Sequence, residues 1–141
     1  MTSLSNHLSF QSSRPRGGEH TYGSPAPTSR PAAPPTVRWD LYWKWLHRLA
    51  IYYPRAPALA DANQAFSRMW TFFTRLPCPK CRAHVAEYLE RSPIDLANSR
   101  GLQVWCWKFH NAVNVRLKKP LFSFEAYLAL YAEDIRLAAE V

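Results

Sequence analysis

The chain has 141 residues, a length suited to one domain, with 48% hydrophobic residues and six Trp, seven Tyr and seven Phe to build a core. Its net charge of +8 suits a solvated basic surface or an anionic ligand, but the cations are dispersed and no nucleic-acid recognition motif appears, so no nucleic-acid partner is expected. No apolar run approaches the roughly 18 residues of a membrane helix, and the N-terminus lacks a signal-peptide stretch, so no membrane span is expected.

Residues 1 to 36 carry six of the twelve prolines, three of the four glycines and a single acid, Glu19. Such a segment buries too little apolar surface to offset its ordering entropy and reads as a disordered tail. Its arginines suit a mitochondrial transit peptide, but the prolines spoil an amphipathic helix. The folded domain is expected over residues 37–141. Trp39, Tyr42, Trp43, Leu46, Leu49, Ala50 and Tyr53 recur at helical spacing and predict a first helix from Val37 to Tyr53, stopped by Pro54. Ala62, Ala65, Phe66, Met69, Phe72, Phe73 and Leu76 give a second, ending before Pro77.

A third helix starts at Pro77-Cys78-Pro79-Lys80-Cys81 and buries Cys81, Val85, Tyr88 and Leu89. Ser99 is the expected N-cap of a fourth, whose inner face is Leu102, Trp105, Cys106, Phe109, Ala112, Val113 and Leu117. A shorter fifth from Ser123 carries Phe124, Tyr127, Leu128, Tyr131 and Ile135. No segment alternates as a strand does, so the fold class is all-α, an antiparallel helical bundle.

The three cysteines, Cys78, Cys81 and Cys106, are too few for a disulfide-scaffolded secreted domain and fit a thiol-reducing compartment with one special pair. Pro79 suits the first helical position, because it has no N–H to leave unpaired. That puts Cys78 at the N-cap and Cys81 in the first turn, where the helix dipole favours thiolate. Lys80 and Arg82 add positive charge, and such settings lower a cysteine pKa by several units. The pair therefore suits thiol–disulfide exchange. Rival chemistries are a zinc site using Cys78, Cys81 and His84 with Cys106 or His110, which lacks a second ligand pair, and a c-type haem, which needs histidine where Arg82 stands. A thioredoxin-like module needs a βαβ context.

A redox pair needs an electron acceptor, and no second dithiol exists in the chain, which points to a bound cofactor. Gln103, Trp107, His110, Asn114 and Lys118 share one face of the fourth helix, bordered by Asn111. A polar face is ordinarily solvated, but an indole, an imidazole and two amides suit a flat heteroaromatic ligand with hydrogen-bonding edges. Arg116, Lys118 and Lys119 at the helix end could then meet phosphates.

Three stretches together resemble the Erv/ALR family of FAD-dependent sulfhydryl oxidases: Trp43-Lys44-Trp45-Leu46-His47 with Tyr52-Tyr53-Pro54, Cys78-Pro79-Lys80-Cys81, and His110-Asn111-Ala112-Val113-Asn114 followed by Leu117-Lys118-Lys119-Pro120. The match runs over residues 38 to 132. The resemblance implies a four-helix bundle with a short fifth helix, usually a homodimer, with FAD among the helices. It implies that Cys81 is the flavin-proximal sulfur and Cys78 the one exchanging with substrate. Trp43, His47, His110, Asn111, Val113, Asn114 and Lys119 match FAD-contacting positions, Trp107 and Tyr131 fall near others, and Tyr53 comes with the first motif. The implied reaction converts two thiols to a disulfide, with O2 as final acceptor and hydrogen peroxide as product.

The chain departs from the cellular members of that family. It has no shuttle cysteine pair in its tail, Trp39 replaces a glycine, and Cys106 has no partner and reads as a buried free thiol. The short form and the Cys81-x-x-His84-x-x-x-Tyr88-Leu89 pattern look like members encoded by large DNA viruses. This implies work in the host cytoplasm or the virion, with the mitochondrial intermembrane space as the alternative. The implied partner is a dithiol substrate protein or a small redox relay protein docking at Cys78.

Overall fold

The computed structural model describes residues 36–141; the expected disordered tail lies outside the described residues, save Thr36. Those residues form six helices and no strand: α1 (Trp39–Ile51), α2 (Leu59–Thr74), α3 (Pro79–Arg91), α4 (Ser99–Arg116), α5 (Phe124–Leu130) and α6 (Ala132–Ala139). The all-α reading holds, with α1 shorter by two residues at each end than its apolar pattern suggests.

Each boundary has a local cause. The Asp61 carboxylate accepts the Ala58 N–H at 2.8 Å and closes the start of α2. Cys78 is the N-cap of α3 and Pro79 its first residue, as expected. Asn98, rather than Ser99, caps α4, its side-chain oxygen accepting the Gly101 N–H at 2.8 Å. Ser99 is displaced from capping because its hydroxyl donates to the carbonyls of Ala50 and Ile51 at the end of α1. Ser123 caps α5 through the Ala126 N–H. The expected fifth helix is two, α5 and α6, meeting at Tyr131.

Helix α4 is the centre of the packing. It runs antiparallel to α1, since Ser99 at its start meets Ala50 and His110 near its end meets Trp43 and His47. Phe109 packs on Phe73 of α2 and Tyr88 of α3, with ring centroids 5.4 and 5.2 Å apart. These contacts make one core containing Leu46, Met69, Phe73, Val85, Leu102 and Phe109. Burying each such side chain contributes about 1.5–3 kcal/mol before entropy is counted. Phe66 and Leu117, expected inside, are 47% and 55% exposed. Both stand at the margin of their helical stripe, where neighbouring helices do not reach. A second cluster of Ile51, Tyr127 and Tyr131 seats α5 and α6 on the outer side of α4.

A buried polar chain fixes that seat. Gln103 donates to the Ser99 hydroxyl at 3.0 Å, and the Tyr127 hydroxyl donates to the Gln103 carbonyl oxygen at 3.0 Å. Every polar group in it is partnered, so α5 is held in one register on α4.

Candidate active site

Cys78 and Cys81 are joined as a disulfide. The N-cap geometry brings the Cys81 N–H to Cys78 Sγ at 3.2 Å. Both cysteines are half-buried, Cys81 packing against the main core. The Arg82 guanidinium turns back to the carbonyl of Leu76 and braces the loop ahead of the pair. Cys106 is free and fully buried, and burial pushes its thiol pKa far up, so it stays protonated and inert.

The zinc reading finds no support. The two sulfurs are bonded to each other, and no cluster of three or more His, Cys, Asp or Glu side chains converges among the described residues.

Near the C-terminal half of α4 the structure brings together four of the expected residues, from α1, α4 and the junction of α5 and α6. Trp43 and His110 stack face to face, centroids 3.7 Å apart and planes 3° from parallel. His47 Nε2 lies 2.8 Å from His110 Nδ1, and the Tyr131 ring lies 5.1 Å from that of His47. Burial first, and then the neighbouring His110, lowers the His47 pKa to about 3. Burial and then Lys119 lower that of His110 to about 4. Both imidazoles are therefore neutral at pH 7, and one donates to the other. His47 Nδ1 is left fully buried without a partner. An orphaned nitrogen of this kind is costly in a finished core and is the mark of a missing ligand atom.

Other expected residues have protein partners. Asn111 grips the backbone of Phe122 twice, donating to its carbonyl at 2.9 Å and accepting its N–H at 3.1 Å. Trp107 Nε1 donates to the same carbonyl at 2.9 Å. These two residues thus clamp the loop after α4 onto the helix. Asn114 is buried beside Asn111, and Val113 is half-buried against the main core. Lys119 is exposed, its N–H donating to the carbonyl of Asn114 at 2.8 Å. Tyr53 is not brought to the histidine pair, because its hydroxyl donates to the Leu96 carbonyl and ties the end of α1 to the α3–α4 loop.

Two supporting groups were not singled out from the sequence. Phe122 acts through its backbone, which no residue type announces. Tyr127 read as core, although the Ser99–Gln103 spacing of one helical turn is a signal that a buried hydroxyl chain exists.

The residues fit a flat aromatic cofactor. An indole–imidazole stack opens onto a basic helix end, and a buried ring nitrogen waits beside it for a polar edge.

The Erv1/Alr family profile matches residues 40–133. An FAD-linked sulfhydryl oxidase of African swine fever virus is 38% identical over 94 residues, 67% of this chain and 79% of the viral protein. A mitochondrial FAD-linked sulfhydryl oxidase of Schizosaccharomyces pombe is 33% identical over 89 residues, 60% of this chain and 48% of that one. The solved FAD-binding domain of Erv1 from Saccharomyces cerevisiae superposes with a TM-score of 0.64 at 23% identity, covering 68% of this chain and 91% of that domain. That likeness is one of fold. With the profile running from the first turn of α1 to the start of α6 and taking in the Trp43, Cys78–Cys81 and His110 motifs together, the chain belongs to the Erv1/Alr family.

Proposed function

We infer that the chain is an FAD-linked sulfhydryl oxidase, making disulfides in a substrate protein and passing the electrons to O2. The observation that carries this reading is the Cys78–Cys81 disulfide at the start of α3, packed on the same core as the Trp43–His110 stack.

A substrate thiolate attacks Cys78 Sγ and forms a mixed disulfide, and Cys81 leaves as thiolate. The positive end of α3, with Lys80 and Arg82 beside it, stabilises that leaving thiolate. The second substrate thiolate then attacks the substrate sulfur of the mixed disulfide and releases Cys78. The substrate has lost two electrons and the chain now holds a dithiol. FAD would supply the two-electron oxidant that restores the disulfide, with O2 as the final acceptor. Trp43, His47, His110, Asn111, Val113, Asn114, Lys119 and Tyr131 would hold it, with Trp107 and Asn111 fixing the loop that covers the site. Neutral His47 keeps a proton or a lone pair at Nδ1 for a polar edge of the cofactor, and Lys119 suits its phosphates.

The viral relatives support a setting in the host cytoplasm or the virion, and the yeast mitochondrial relative supports the intermembrane space as the alternative. Homodimerisation and a small dithiol relay partner complete the proposal. Purified protein should be yellow, with flavin absorbance, and should consume O2 when given dithiothreitol. A colourless protein that cannot be reconstituted with FAD would sink it.

A further inference from the structure

Between Asp61 and Glu87 every charged residue is a cation: Arg68, Arg75, Lys80 and Arg82. Two of them, Arg68 and Arg75, line a groove of about 410 Å³ between α1 and α2, walled by Tyr42, Trp45 and Phe72. Neither guanidinium belongs to any of the ion pairs among the described residues, which involve Arg38, Arg48 and Arg136. Arg68 lies on α2 and Arg75 is its C-cap; seven residues of helical rise put them about 10 Å apart along one side of it. Arg75 is three residues from Cys78, so chain reach keeps their Cα atoms within about 11 Å of each other. Beyond Arg68 the groove continues into a cavity of about 340 Å³ whose lining includes Gln64 and Asp61. Its purely cationic part is the end lined by Arg75, from which the chain leads to Cys78.

We propose that this groove docks an acidic, extended segment adjoining the dithiol of the protein that Cys78 oxidises. The proposal rests on the thiol-oxidase reading and names its substrate class. Charge complementarity selects the occupant. An extended chain advances about 3.3 Å per residue, so acids three positions apart match the Arg68–Arg75 spacing. The nearer acid then falls about three residues from the partner cysteine. The aromatic walls take the apolar stems between. Exposed charge pairs of this kind contribute modestly to affinity and more to encounter rate, and they weaken in salt.

The test uses the FAD-loaded full chain and two Cys-x-x-Cys peptides. One carries Glu three and six residues from a cysteine, the other Lys at both places, and dithiothreitol is the uncharged control. At low salt the acidic peptide should be oxidised with a kcat/KM about fivefold above the basic one, the difference vanishing near 0.5 M salt. The double substitution Arg68→Glu with Arg75→Glu should reverse the preference and leave dithiothreitol turnover unchanged. A labelled acidic peptide with serines for cysteines should bind the parent and not the variant. Equal oxidation of both peptides, or a preference untouched by the substitutions, overturns the proposal. So does a short DNA strand that competes as well as the acidic peptide. A change in sedimentation of the variant with peptide preference intact would identify a second copy as the occupant, again overturning it. Failure of the parent protein to oxidise dithiothreitol, with peptide binding retained, would strike the oxidase reading instead; failure of both strikes both.

Discussion

His47 and His110 are held ring nitrogen to ring nitrogen at 2.8 Å, the first on α1 and the second on α4. That contact holds one proton, and protonating either ring further places a cation in a buried site. Both folded pKa values, about 3 and about 4, lie below the ordinary 6.5. Below pH 6.5 the unfolded chain therefore takes up protons that the folded one refuses. The histidine contribution to stability is full above pH 6.5 and declines as pH falls toward the folded values. Each unit of pH in that window costs up to about 1.4 kcal/mol per histidine, and partial exposure of His110 reduces its share. We expect the cofactor-free protein to lose about 2 kcal/mol between pH 7 and pH 5. The carboxylates with lowered pKa, Asp40 and Glu133, act below that window. A melting temperature that stays flat from pH 7 to 5 would mean that the pair is solvated.

Asn111 separates two roles that the family resemblance merges. Its side chain makes two hydrogen bonds to the Phe122 backbone before any cofactor is present. Asn111→Ala should therefore destabilise even the FAD-free protein, by about 1–3 kcal/mol, because the part-buried Phe122 N–H loses its partner and its carbonyl keeps only the Trp107 N–H. Urea unfolding of the two apoproteins measures this directly. Equal midpoints would assign Asn111 to cofactor contact alone.

The cysteines divide in the same way. On the proposed mechanism, in which the Cys81 sulfur relays electrons, Cys81→Ser should bring dithiol oxidation to background while FAD stays bound. Loss of flavin absorbance from that variant would instead make Cys81 structural. Cys106→Ala should leave turnover per bound flavin unchanged and cost about 1–2 kcal/mol in stability, through the space left by a fully buried sulfur. A hundredfold fall in activity would overturn its role as a bystander.

How much of this was legible in the sequence depends on what each residue uses. Cys78, Pro79 and Cys81 act through residue type at a helix start, and their geometry is as expected. The apolar stripe of α1 likewise predicts the burial of Leu46, Ala50 and Tyr53, but it leaves out Ile51, which α5 and α6 cover. The polar face of α4 was visible as a pattern, but its use was not. Asn111 and Trp107 reach a backbone carbonyl, and backbone groups look alike at every position. The choice of Asn98 over Ser99 as cap depended on Ala50 and Ile51, forty-eight and more residues away, drawing off the Ser99 hydroxyl. The break at Tyr131 has no proline or glycine to announce it. It follows from α5 and α6 wrapping Tyr127 and Tyr131 onto Ile51, a tertiary demand.

Lys118 closes α4 in a conformation its side chain opposes. Its φ is 55°, a positive value among the non-glycine residues described. The Lys119 N–H bonds to the carbonyl of Asn114 and the Lys118 N–H to that of Val115, the paired closure in which glycine normally holds the left-handed place. A side chain there costs about 1–2 kcal/mol. Lys118→Gly should recover about 1 kcal/mol of that after glycine's own entropy, raising the apoprotein melting temperature by about 4 °C. Lys118→Ala removes the same charge but keeps the strain, so its melting temperature should not rise. If Ala and Gly raise it equally, relief of repulsion among Arg116, Lys118 and Lys119 is the cause, and backbone strain is not. If Gly alone raises it while weakening FAD binding as much as Ala does, the lysine is kept at that strained position for its charge.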